Sequence, residues 1–68
     1  MRHEVNSSAI EWVEESGRGS LIVRFRKGGT YEYEGVPPDT INAMIDAPSV
    51  GRFYIDEIRG RYQERKIG

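Results

Sequence analysis

The side chains with most to offer a partner are aromatic and cationic rather than nucleophilic. Tyr31 and Tyr33 stand at alternate positions, just after a run that holds Arg24, Arg26 and Lys27. Arg59, Arg61, Tyr62 and Arg65 form a second cluster near the C-terminus. Tyrosines can stack on nucleic-acid bases and guanidinium groups can hold phosphates, so these nine residues are the candidate nucleic-acid or partner-binding set. Catalysis and metal binding find little support. There is no cysteine, and the single histidine, His3, has no set of ligands near it in the sequence. Ser7 and Ser8 lack a neighbouring general base, and no carboxylate pair sits in an apolar setting that would separate two pKa values. No catalytic residue, metal site or cofactor is expected.

The same stretch announces the elements that hold these residues. Leu21, Val23 and Phe25 alternate with Ile22, Arg24 and Arg26, the period of a strand with one face buried. Gly28-Gly29 supplies a turn, and Tyr31 and Tyr33 resume the alternation. Three strands are expected: 9–15, 20–26 and 30–34. A two-residue loop at Ser16-Gly17 would set Trp12 opposite Leu21 and Ile10 opposite Val23. A three-residue loop at 27–29 would set Phe25 opposite Tyr31 and Val23 opposite Tyr33, with glycine in the left-handed position of that loop. Pro37 and Pro38 end the pairing, and Pro38-Asp39 opens a helix expected over 38–46. Pro48 stops it, and Ser49 caps a second helix expected over 50–59. The expected fold is α+β: a three-stranded antiparallel β-meander followed by two short α-helices packed on one face. Its core should hold Ile10, Trp12, Leu21, Val23, Phe25, Tyr33, Val36, Ile41, Met44, Ile45, Phe53 and Ile58. Residues 1–68 form one domain, with 1–6 and 63–68 flexible.

Two readings of the tyrosines follow from the same alternation. If their face is the core face they are packing residues, whereas an open face would make them stacking platforms.

Charge is balanced overall, ten basic residues against eleven acidic, but it is laid out in blocks. Residues 18–27 carry Arg18, Arg24, Arg26 and Lys27 without an acid, and residues 28–50 carry Glu32, Glu34, Asp39 and Asp46 without a base. Blocks of opposite sign on neighbouring strands predict cross-strand ion pairs, and a basic patch for an anionic partner is the alternative. A chain this short buries only about 60% of its unfolded surface, which makes dimerisation a natural supplement. No run approaches the ~20 apolar residues of a membrane span. The expectation is a soluble, cytoplasmic domain with no membrane partner.

Read as a series, Ser7-Ser8-Ala9-Ile10, Leu21-x-Val23-x-Phe25, the Gly-Gly turn, Tyr31-Glu32-Tyr33, Gly35-Val36-Pro37, Ala47-x-Ser49-x-Gly51 and Ile58-Arg59-Gly60-Arg61-Tyr62 resemble the KTSC domain family. That family is named for an extra domain at the C-terminus of some lysyl-tRNA synthetases, and it includes small stand-alone bacterial and phage proteins. The resemblance covers nearly the whole chain. One departure is the Gly-Tyr-Asp-like segment usual near the end of the first strand, where this chain has Glu14-Glu15-Ser16. The resemblance implies a small non-catalytic binding module. RNA is the partner suggested by the synthetase context, and a protein-interaction or assembly role, homodimeric included, is the alternative.

Overall fold

Two glycine-closed hairpins build the centre of the molecule. The computed structural model describes residues 2–68. Its elements run β1 (Arg2–Glu4), β2 (Ile10–Glu15), β3 (Leu21–Phe25), β4 (Gly29–Tyr33), α1 (Pro38–Asp46), α2 (Val50–Phe53) and β5 (Glu64–Lys66). The strands form one antiparallel sheet in the order β1-β2-β3-β4-β5. The α+β class, the antiparallel sheet and the two helices are as expected, but the sheet has five strands instead of three. Residues 2–4 and 64–66, expected to be flexible, are its two edges.

In the first hairpin Ser16 and Ser20 close a Gly17-Arg18-Gly19 loop. The Ser16 amide donates to the Ser20 carbonyl at 2.9 Å, and Gly19 takes φ +76°. A loop longer than expected shifts the register by an odd number, so Val13, not Trp12, faces the core opposite Val23. Trp12 pairs with Arg24 on the other face, which corrects its expected core position. The register then shifts between Ile10 and Trp12, and this bulge returns Ile10 to the core side opposite Phe25.

In the second hairpin the loop is Arg26-Lys27-Gly28, with Phe25 opposite Gly29, Val23 opposite Tyr31 and Leu21 opposite Tyr33. The offset from the expected register is two residues. Because that number is even, every side chain keeps its face.

The residue before Pro48 is held in an extended conformation (Ala47 φ −67°, ψ 143°), and α1 ends there. The Ser49 hydroxyl accepts the Arg52 amide at 3.2 Å and caps α2. Without a break, α2 passes into a π-helical segment, Tyr54–Ile58, closed by the Arg59 amide on the Tyr54 carbonyl at 2.9 Å. The expected single helix over 50–59 is therefore two helical windings ending at Ile58. Ile41, Met44, Val50 and Ile58 from the helical segments pack with Ile10, Val13, Leu21, Val23, Tyr33 and Val36 in one core. Phe25, Ile45 and Phe53 lie at its margin, only partly buried. Val13 and Val50 join the residues expected there.

β5 is held differently from the rest. Its side chains are all exposed, and the chain from Gln63 to Gly68 meets β4 through backbone hydrogen bonds such as Glu34 N–H to Gln63 O and Thr30 N–H to Gly68 O, both 3.0 Å. Such bonds contribute about 0.5–1.5 kcal/mol each, while ordering each residue costs about 1–2 kcal/mol. The two are of the same size, so the backbone alone leaves this strand close to balance, and the Arg65–Glu32 pair tips it toward the docked state. Tyr62, packed against the core, is the last firm anchor before it.

Candidate binding surface

β4 carries a different chemistry on each side. Tyr31 and Tyr33 point to the helical layer, where Phe25, Tyr31, Tyr33 and Tyr54 form a chain of edge-to-face contacts with ring centroids 5.1–5.9 Å apart. The hydroxyls of Tyr33 and Tyr54 share a 2.7 Å hydrogen bond. Burial, with this bond behind it, pushes the Tyr33 hydroxyl well above its ordinary pKa of 10.0. Tyr33 is buried and Tyr31 half-buried, so the packing reading of the pair holds.

Among the described residues the opposite side of the sheet carries no helix. Glu32 lies there with only 8% of its surface exposed. The Ser20 hydroxyl donates to Glu32 Oε2 at 2.7 Å, and Arg65 of β5 donates to Oε1. Since the Ser20 proton points at the carboxylate, the Ser16 hydroxyl must supply the proton of the 2.6 Å bond between the two serines. The bond from Ser20, then that from Arg65, holds the Glu32 carboxyl below its usual range. Glu32 in turn raises the pKa of Arg65. Ser20, Glu32 and Arg65, with Arg18, Glu34 and Gly35, line an open cleft of about 270 Å³.

Further along the same face the Arg2 guanidinium stacks over Trp12, 3.9 Å from the ring centroid, and ion-pairs with Glu14. Arg24 reaches Glu11 at 3.9 Å and donates to Thr30 Oγ1 at 2.9 Å. Each of these arginines is thus matched to a carboxylate.

The expected site residues do not converge. Arg24 and Arg65 share the open face, while Tyr31, Tyr33 and Tyr62 pack toward the core. Arg26 donates to the Ser7 carbonyl at 2.7 Å, and Arg61 donates to the Asp56 carbonyl at 3.1 Å. Lys27 and Arg59 are exposed. Sequence reasoning counted Glu32 only among the acids of a cross-strand charge block, and it passed over Ser20 and the Arg2–Trp12 stack. The two serines flanking Gly17-Arg18-Gly19 were a usable signal, but nothing in the sequence links Arg2 to Trp12 until β1 is known to pair. Among the described residues no group of three His, Asp or Glu side chains could hold a metal ion, and no helix is long and apolar enough to cross a membrane.

The family model of the KTSC domain matches residues 6–62. The chain belongs to the KTSC domain family. A KTSC domain protein from Yersinia pestis has a solved structure that superposes with a TM-score of 0.94 at 38% identity, covering 100% of this chain and 97% of that one. An uncharacterised protein of Stutzerimonas stutzeri is 44% identical over 34 residues, 50% of this chain and 48% of its own. A Tsukamurella paurometabola protein is 37% identical over 60 residues, 87% of this chain and 90% of its own. Both edge strands of this KTSC domain, β1 and β5, lie outside the segment that the family model matches.

Proposed function

We propose that this KTSC domain is a non-catalytic interaction module whose partner is another protein, met on the helix-free face of the sheet. The observation that carries this is the pairing of Arg2, Arg24 and Arg65 with Glu14, Glu11 and Glu32. A face neutralised from within offers few charges for phosphates, while Trp12, half-buried under Arg2 and flanked by polar groups, suits a protein contact. RNA binding is the second reading. It is favoured by Lys27 and Arg59, which make no ion pair among the described residues. An intracellular setting fits either partner and the absence of cysteine.

Salt titration against tRNA and single-stranded RNA separates the two. The protein reading expects no binding at low salt. Binding whose log–log salt slope falls by about two when Arg59 and Arg61 become alanine would establish the RNA reading instead. A photoreactive side chain placed at position 22, on the open face, should yield a defined protein adduct in cells. The same group at the exposed helical position 42 should not.

A further inference from the structure

We propose that the outer edge of β4 is a docking site for an extended, arginine-bearing segment of a partner protein, and that β5 is its built-in, displaceable occupant. The inference rests on the protein-interaction reading and names the partner's chemistry.

Four observations carry it. First, β4 and the residues after it are acidic on the side facing β5. Glu32 and Glu34 line the cleft, and the block from 28 to 50 has no basic residue. Second, the one side chain from β5 that this edge grips by charge is Arg65, on the buried carboxylate of Glu32. An extended segment with an arginine at the matching position would supply the same bidentate-capable group. Third, β5 contributes no buried side chain, so a replacement strand forfeits no packing when β5 leaves. Fourth, the chain can leave without disturbing the core. Tyr62 remains packed, and the turn before it is closed by the Arg61 amide on the Ile58 carbonyl, with Gly60 at φ +78°.

The specificity of the edge follows from its neighbours. A side chain opposite Glu32 enters a cleft whose far wall is the Ser20 hydroxyl and Arg18. A carboxylate there would face Glu32 and Glu34 against the single cation Arg18, so acidic segments are disfavoured. Opposite Gly29 the incoming backbone comes so close that a Cβ on that residue would collide with the Gly68 carbonyl. The edge is therefore shaped for close main-chain approach at one end and for a guanidinium near the middle.

The probe is a fluorescent hexapeptide with the sequence of residues 63–68, added to the full chain while backbone amide shifts are followed by NMR. The native chain should bind it weakly, because its own strand competes at high effective concentration. Arg65→Ala in the full chain, a substitution at an exposed side chain, should tighten peptide binding several-fold, with shifts centred on residues 30–34. Adding Glu32→Gln to that variant should remove the gain. Circular dichroism confirms that each variant is folded. Equal peptide affinity for the parent and Arg65→Ala, or shifts that map away from β4, would overturn the proposal. So would a peptide with glutamate in place of its arginine binding as well as the original. Because the readout is at β4 itself, failure here leaves the open-face reading to be decided by its own cross-linking test.

Discussion

Gly28 and Gly29 are adjacent, both with positive φ (+111° and +99°), yet alanine should act differently at each. A Cβ at Gly28 meets nothing within 4 Å, so Gly28→Ala incurs only backbone strain, about 1–3 kcal/mol. Gly29→Ala incurs the same strain and also drives its Cβ into the Gly68 carbonyl and to 2.9 Å from Lys66 Cε. The lysine can move, but the backbone of the tail can yield only by leaving β4. With strain near 2 kcal/mol and about 4–8 °C lost per kcal/mol in a domain of this size, each variant should melt about 8–16 °C below the parent. Because β5 is docked by only a small margin, its loss should add little to that figure. Hydrogen exchange separates the two variants. The Thr30 and Glu34 amides, which donate to Gly68 and Gln63, should keep a modest protection in Gly28→Ala and lose it in Gly29→Ala. Equal protection in both variants would refute the reasoning that the tail's close approach is what requires glycine at position 29.

Two titrations follow from the polar and aromatic sides of β4. The folded-state pKa of Glu32 lies below its ordinary 4.5, so Glu32 stabilises the fold above that value and the contribution is lost as pH falls through the lower folded value. Glu32→Gln should therefore be less stable than the parent to urea at neutral pH, and the difference should shrink in acid. A constant difference would show that the carboxylate's charge is not what matters. Tyr33 has the opposite sense: its raised pKa contributes stability that is complete below 10.0 and lost as pH rises through the higher folded value. Tyr33→Phe should cost about 0.5–1.5 kcal/mol near neutrality. It should also remove the latest tyrosine ionisation from an alkaline absorbance titration, and survival of that late step would assign it to another ring.

Legibility in the sequence followed the strength of local patterning. Leu21, Val23 and Phe25 alternate so strictly that their faces survived an error of two residues in the pairing of β3 with β4. Trp12 did not survive an odd error in the first hairpin. There Gly19, not Gly17, takes the left-handed position, and the bulge beside Glu11 lets Ile10 and Val13 share a face that simple alternation denies them. The helices were readable because Pro38, Pro48 and Ser49 mark their ends through local sterics and capping. β1 and β5 were not, since each is three residues without an apolar repeat and owes its conformation to the strand beside it. The candidate surface fared likewise. Cross-strand pairing of Arg24 with Glu11 was legible from the charge blocks, but Arg65 as the partner of Glu32 was not, because it depends on β5 pairing with β4.

The short outer strands have a consequence for how the molecule behaves among its own copies. β1 reads Arg-His-Glu and β5 reads Glu-Arg-Lys, so both rims of the sheet are brief and charged on their open sides. Rims of that kind resist edge-to-edge addition of further strands and the fibrous growth to which it leads. The strands they cover, Ile-Glu-Trp-Val-Glu-Glu and Gly-Thr-Tyr-Glu-Tyr, are far richer in β-branched and aromatic residues. Trimming either terminus of this KTSC domain therefore uncovers a template for aggregation, and a shortened form should lose solubility before it loses its core.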